Sequence, residues 1–394
     1  MRTIRVSAPI LALAALVPVL NAQISFQNLA NTNNGGVASG ITVSGNYAYL
    51  ASGTNGLLIY DISNPAHPVK VGHPAGPNDT GLNATGVAVS GNFAILTTPQ
   101  FSSHSLCVYD ASNPAAPTNI YSTNLNLYAG GGVAAFGTNF FAGGDDLVAI
   151  GTVGLSNPPA VQSIFRPSFN YGNPVGIAAG SDFFALATGA NGNVFVATFL
   201  NGVFTNVVAT NVAAAATGVA VQGRNIYVAN NSTAPLQAYN FGTNGALTKL
   251  GRVSYPGSPI TGSAVAISGD YAYLAGFGGL RAVNIADPTN PVAAGQTTTN
   301  YGGQNLGVAV AGRYLYVASG TNGLRVFAIQ PQLTVSNAPG NQITFSWPDQ
   351  GPFALQQTPD IGNPSWVTLT NVPVNGQLIL PAPTGNMFYR LVGQ

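Results

Sequence analysis

Charge is the scarcest property of this chain. Its 394 residues include 11 Lys or Arg and 10 acidic side chains, all of them aspartate, so charged residues make up 5% where an ordinary soluble domain has about 25%. So sparse a charge excludes a polybasic grip on nucleic acid. With 46% hydrophobic residues the composition is also far from the low-hydrophobicity, high-charge type that stays disordered. Cysteine occurs once, at Cys107, which excludes an intrachain disulfide and leaves packing to hold the fold. Cys107 lies in the apolar run Leu106-Cys107-Val108-Tyr109 and reads as a small core side chain. What is plentiful is turn-forming: 49 glycines and 27 prolines suit many short strands and leave little room for long helices.

The first residues, Met1-Arg2-Thr3-Ile4-Arg5, are basic, and Ala8 to Leu20 is apolar but too short to anchor in a bilayer of about 30 Å. Leu20-Asn21-Ala22 then offers a small residue at a cut. The expectation is a secretory signal peptide over 1–22 and a mature chain from Gln23. With no later apolar run approaching about 18 residues, no transmembrane helix is expected in the mature chain. The location is then extracytoplasmic: periplasm, cell surface or extracellular.

Internal repetition dominates the rest. Gly40-Ile41-Thr42-Val43-Ser44-Gly45-Asn46-Tyr47-Ala48-Tyr49-Leu50-Ala51 returns as Gly86-Val87-Ala88-Val89-Ser90-Gly91-Asn92-Phe93-Ala94-Ile95-Leu96, again from Ala264 and again from Gly307, with weaker copies from Gly132, Gly176 and Gly218. The anchors 40, 86, 132, 176, 218, 264 and 307 are separated by 46, 46, 44, 42, 46 and 43 residues, which makes seven units. Within a unit a short Val/Ala strand turns tightly into a second strand such as Tyr47 to Ala51, and a third follows at Leu57 to Ile62. After the turn Ser63-Asn64-Pro65 comes a fourth at Val69-Lys70-Val71. Four strands at this period are the pattern of a β-propeller blade, favoured over an open β-solenoid or a two-sheet sandwich. Small side chains on the first strand suit a crowded hub. The seventh unit stops after its third strand, so Ile24-Ser25-Phe26-Gln27-Asn28-Leu29 is expected to supply the outer strand of the last blade. The fold class is therefore all-β: a seven-bladed β-propeller over 23–330, its N-terminal strand closing the last blade, and a small C-terminal β-sandwich-like module over 331–394.

The strings Gly-Val-Ala-Val-Ser-Gly-Asn, Gly-Leu-Leu-Ile-Tyr-Asp-Ile-Ser-Asn-Pro and Pro-Val-Lys-Val-Gly resemble the LVIVD-repeat propeller family of exported or surface bacterial proteins. Residues 57–62 and 106–111 are the clearest matches; units one, two, six and seven match well and units three to five weakly. The resemblance implies a propeller and an extracytoplasmic location, and brings no established catalytic residues. In the tail, strand-like runs begin at Leu333, Gln342, Phe353, Trp366, Gln377 and Met387. They resemble the fibronectin- or immunoglobulin-like C-terminal modules of secreted bacterial proteins. Trp347 and Trp366 are the only tryptophans, and both read as core residues of that module.

Chemistry-bearing residues are few. His67, His73 and His104 match no compact metal spacing and read as exposed loop residues, and Asp145-Asp146 reads as an exposed turn. Asp61 and Asp110 recur at one repeat position and are expected to cap the turn that follows. No Ser/His/Asp signature, Gly-x-Ser-x-Gly elbow or phosphate loop is present, and no cofactor, metal site or catalytic residue is expected. The connections from the fourth strand of one unit to the first of the next carry Tyr128, Phe169, Tyr171, Tyr255 and Tyr301, each flanked by Gly or Pro. Aromatic rings beside Asn and Gln are able to stack on sugars or bind a protein without net charge. The functional expectation is a non-catalytic interaction scaffold at the cell envelope, binding a protein or glycan through this loop face. The alternative is a propeller-type hydrolase or lyase acting on a polysaccharide.

Overall fold

A computed structural model of the chain describes residues 4–6, 24–74, 79, 82–99, 104–124, 132–144, 147–152, 160–165, 175–189, 192–200, 203–212, 214–255, 261–297, 306–331, 333–347, 353–369 and 377–393. Their regular structure is almost wholly β-strand. The chain divides into two compact units: residues 28–293 with 297–328, and residues 1–27 with 294–296 and 329–394.

The larger unit is β-propeller-like, built from four-stranded antiparallel sheets in simple up-and-down order. Among the described residues, sheets 1 to 6 span 40–72, 86–123, 133–165, 176–211, 216–253 and 261–297, each with its strands in chain order. Sheet 7 takes three strands from 307–331, and its outer strand is Ile24–Thr32, hydrogen-bonded to Leu324–Pro331. The expected N-terminal contribution to the last sheet is thus present: Thr32 Oγ1 donates to the Leu324 carbonyl at 3.3 Å and Ser25 Oγ to that of Gln330 at 3.4 Å.

Six of the seven sheets open with a hairpin in which one glycine has a positive φ; sheet 4 turns instead through Gly180-Ser181-Asp182, where the Gly180 N–H donates to the Phe183 carbonyl at 2.8 Å. Ser44 pairs with Tyr47, which leaves Gly45 and Asn46 as a two-residue loop, and Gly45 has a φ of 55°. Glycine at the first central position with positive φ is the turn that matches strand twist. Two side chains link such turns between neighbouring sheets: Gln222 Nε2 donates to the Gly269 carbonyl at 2.9 Å, and Ser90 Oγ donates to that of Gly137.

Both faces of each sheet are covered by neighbours. Second strands such as Tyr47–Ala51 and Phe183–Thr188 are therefore buried along nearly their whole length instead of showing the period-two exposure expected of a half-buried strand. The apolar clusters lie between consecutive sheets: Leu57, Ile59, Leu96 and Tyr109 between sheets 1 and 2, Phe183, Val196, Ile226 and Tyr239 between sheets 4 and 5, and Leu50, Leu58, Tyr316 and Val326 between sheets 7 and 1.

Glycine sets the spacing at two radii. At the first strands, a Cβ on Gly40 would lie 2.8 Å from the Thr85 carbonyl oxygen and 3.0 Å from Gly86 Cα. Gly176 stands in the same relation to Gly218, and Gly307 to Gly40, so anchor glycines of successive sheets meet backbone to backbone. At the outer strands, a Cβ on Gly72 would fall 2.0 Å from the Pro114 carbonyl oxygen, in the outer turn of sheet 2, and one on Gly251 would fall 2.5 Å from that of Thr289, in sheet 6. The glycine ending Pro-Val-Lys-Val-Gly thus makes room for the next sheet.

In the smaller unit, one sheet runs in the order Ile4–Val6, Met387–Gly393, Phe353–Thr358, Val367–Thr368, and another in the order Thr334–Ala338, Gln342–Ser346, Gln377–Pro381. Ile343, Phe345, Trp347, Leu355, Leu378 and Tyr389 from both sheets form one core. Trp347 is buried as expected, at 5% exposure. Trp366 departs from expectation: it is half-buried, with the Arg390 guanidinium 4.0 Å from its ring centroid. Arg390 Nε in turn donates to Gln356 Oε1 at 2.9 Å. The pairing of Ile4–Val6, inside the expected leader, with Met387–Gly393 was not expected from the sequence.

Candidate functional site

In an up-and-down sheet, the turns from second to third strand and the connections from fourth strand to the next sheet's first strand emerge at the same end. Of the five aromatic residues expected on these connections, Tyr128, Phe169, Tyr171 and Tyr301 lie outside the described residues, as do Asp145 and Asp146. Tyr255 is described, and it is buried at 6% exposure. Its hydroxyl donates to the Ala282 carbonyl, and its ring lies 4.6 Å from the guanidinium carbon of Arg281. Arg281 is itself 4% exposed, and burial holds its pKa below the usual arginine value. The Tyr255 ring is therefore committed to a cation–π contact and the core beneath it, and it holds the connection down onto the third strand of sheet 6.

The same docking recurs with other chemistry. Asp79, in the connection leading into sheet 2, accepts a 2.7 Å hydrogen bond from Tyr109 Oη and a longer one, 3.4 Å, from Asn119 Nδ2. Tyr109 is fully buried beside Cys107, and burial pushes both the phenol and the thiol up from their ordinary pKa values. The thiol is thus a neutral core group, as its sequence setting implied. Leading into sheet 5, the Val212 carbonyl accepts from Gln237 Nε2 at 3.3 Å, and Tyr239 Oη donates to Gln237 Oε1 at 2.9 Å. Leading into sheet 1, Asn34 Nδ2 donates to Ser52 Oγ at 2.6 Å and Asn55 Nδ2 to the Asn34 carbonyl at 2.8 Å.

Two of these anchors share a repeat position: Gln237 and Arg281 pair with Val228 and Leu274 in the register in which Leu58 pairs with Leu50 and Cys107 with Leu96. A polar side chain appearing at a position that is apolar in sheets 1 and 2 was the available signal for Gln237 and Arg281. Only an alignment of the units exposes it.

Among the described residues, three large apolar side chains reach solvent at this end of the sheets: Val37 and Val175, each 44% exposed, and Phe277, at 42%. Val37 and Val175 sit just before the first strands of sheets 1 and 4, and Phe277 at the turn between the second and third strands of sheet 6. At the other end, Asp61 Oδ1 accepts from the Ser63 N–H at 2.8 Å and Asp110 Oδ1 from that of Ser112 at 2.9 Å. These bonds hold both carboxyls below the usual carboxylate range. Asn284 does the same work in sheet 6, accepting from Ala286 at 2.9 Å. His67 and His73 are exposed and His104 half-buried. Among the described residues, no three His, Cys, Asp or Glu side chains converge as a metal site would need.

No curated protein matches the chain. Among solved structures, one described as U3-55K superposes with a TM-score of 0.55 at 12% identity, over 77% of this chain and 98% of that one. The crystal structure of the computationally designed Ika8 protein superposes with a TM-score of 0.53 at 11% identity, over 77% and 99%. Likeness at such identity is one of fold. Among family models, the LVIVD repeat matches residues 35–73, 81–124, 261–299 and 302–337. The chain carries four LVIVD repeats within a β-propeller-like, all-β fold.

Proposed function

We propose that the protein is an exported, non-catalytic interaction scaffold. In this reading a leader over 1–22 is removed, residues 23–330 close into a seven-bladed propeller, and residues 331–394 form a fibronectin- or immunoglobulin-like module. Closure is supported by a repeated bridge. Gly53 and Ala84 exchange backbone hydrogen bonds of 3.0 and 2.9 Å between sheet 1 and the approach to sheet 2, and Gly320 and Ala38 exchange bonds of 3.0 and 2.9 Å between sheet 7 and the approach to sheet 1. The last sheet thus meets the first as the first meets the second.

The binding reading rests on one observation: the connections at one end are pinned to the strands beneath them by Asn34, Asp79, Val212 and Tyr255, while Val37, Val175 and Phe277 stand exposed at the same end. Loops held rigid by their scaffold lose little entropy on binding, and a face of amides, hydroxyls and isolated apolar groups suits an uncharged partner, protein or glycan. Tyr128, Phe169, Tyr171 and Tyr301 would complete it. The test probes chain 23–394 against an array of neutral oligosaccharides and an envelope-protein extract, beside Phe277→Asp and the pair Tyr171→Ala and Tyr301→Ala. Binding that weakens at least tenfold in variants with unchanged circular dichroism supports the face; binding that all variants retain refutes it.

A further inference from the structure

The strand Met387–Gly393 is a sheet edge whose cover belongs to the leader. On one side it pairs with Phe353–Thr358 along six residue pairs. On the other, among the described residues, it is met only by Ile4–Val6, in the register Ile4 to Tyr389, Arg5 to Phe388 and Val6 to Met387. Those three residues fall within the segment read above as a signal peptide, and the present inference rests on that reading. Removing the leader uncovers the backbone N–H and C=O groups of 387–389 and leaves a seven-residue edge.

Long edges are normally blunted by proline, by inward charge, by a bulge or by brevity. The other edge of this sheet, Val367–Thr368, is two residues long, and Gln377–Pro381, an edge of the companion sheet, ends in proline. Met387-Phe388-Tyr389-Arg390-Leu391-Val392-Gly393 has neither device: it contains no proline, a single charge, and an unbroken register with its inner neighbour.

We infer that leader removal exposes a self-pairing edge, and that the mature chain dimerises by antiparallel addition of Met387–Gly393 to the same strand of a second copy. Sequence and side-chain direction select the register. Tyr389 belongs to the core of its unit, with Met387 and Leu391 packed against it, and alternation along the strand puts Phe388 and Arg390 on the opposite face. A two-fold axis at Tyr389 then sets Met387 opposite the partner's Leu391, core side to core side. It sets Phe388 opposite the partner's Arg390, twice, while each Arg390 guanidinium keeps its contacts with Trp366 and Gln356 inside its own sheet. A two-fold axis at Arg390 would oppose like charges. The complementary register is therefore the one centred on Tyr389, and a copy of this chain supplies both halves of it.

The experiment is sedimentation velocity on chain 23–394 between about 1 and 100 μM, beside Phe388→Lys, Phe388→Glu and the full chain 1–394. The mature mass measured after export by the native host establishes separately whether residues 1–22 are removed; an uncut chain refutes the leader reading, whatever the recombinant chains do. The expected result is a dimer for 23–394, weakened about tenfold or more by Phe388→Lys, which opposes Lys to Arg390 at two sites. Phe388→Glu, which opposes unlike charges, is expected to retain it. The full chain is expected to be monomeric. Circular dichroism and Trp347 emission confirm that the variants are folded. A monomeric 23–394 overturns the inference, including the case in which it binds a synthetic peptide of residues 2–9 and so proves open only to a foreign strand. A dimer indifferent to Phe388→Lys overturns it equally.

Discussion

Gly72→Ala is the sharpest test of how the sheets are spaced. Gly72 ends the outer strand Val69–Gly72 of sheet 1, and its φ is outside the positive range, so the substitution brings no backbone strain and acts through space alone. The added Cβ would lie 2.0 Å from the Pro114 carbonyl oxygen and 3.2 Å from Ile59 Cβ. Relief requires the Pro114 turn to retreat by roughly 1 Å or more, since an interior packed as densely as an organic crystal has no slack to absorb it. That turn is tied in place: Asp110 Oδ1 accepts from Ser112 at 2.9 Å, Asn113 Oδ1 from Ala115 at 3.2 Å, and the Asn113 carbonyl from Ala116 at 3.0 Å. The cost should fall at the upper end of overpacking, about 3 kcal/mol. The control is Gly91→Ala in a hairpin turn, where φ is 56° and nothing lies within 4 Å of the new Cβ; there the penalty is conformational, about 1 kcal/mol. In thermal unfolding of chain 23–394 followed by far-UV circular dichroism, Gly72→Ala should lower the midpoint by about 4–5 °C and Gly91→Ala by about 1–2 °C. Equal shifts for the two would refute the claim that glycine at this radius exists to admit the neighbouring sheet.

Two further outcomes follow from the turns and the tail. Asp61, Asp110 and Asp287 have carboxyls held below the ordinary value of 3.8 by backbone and side-chain bonds from Ser63, Ser112 and Thr289. A depressed folded pKa gives stability that is complete above 3.8 and is lost as pH falls through the lower folded value, so the triple Asp→Asn variant, repeating what Asn284 does naturally, should keep neutral stability and show a flatter acid limb in unfolding midpoint against pH. Trp347→Ala should destabilise the smaller unit by about 3–5 kcal/mol, seen as a lowered midpoint of near-UV circular dichroism. Trp366→Ala, which removes a half-buried ring from Arg390, should cost about 1 kcal/mol or less.

Much of this was legible because a repeat prints the same constraint several times. Hairpin glycines such as Gly45 and Gly91, the aspartates at 61 and 110, and small first-strand residues recur at fixed offsets, and each proved to have one local cause: a positive φ, a turn N–H to cap, a backbone neighbour about 3 Å away. The outer strand Ile24–Thr32 was found by counting, since unit seven lacked its fourth strand. The connections were less legible because they do not repeat. Asp79, Val212 and Tyr255 fasten equivalent connections by unlike chemistry, so the local sequence around Tyr255 leaves open whether its ring packs or faces a ligand; Arg281, 26 positions away, sets its direction. Residue type alone reads Trp366 as core, although it immediately precedes Val367–Thr368, a two-residue edge with both residues exposed.

Closure by the N-terminal strand is tested most directly by amide hydrogen exchange on two chains, one beginning at Gln23 and one at Asn33. The account predicts that removing 23–32 strips protection from the amides of 324–330 that face the outer strand and from the Ala38–Gly320 bridge, while the Gly53–Ala84 bridge between sheets 1 and 2 keeps its own. Equal protection in both chains at those amides and at Ala38 would contradict it.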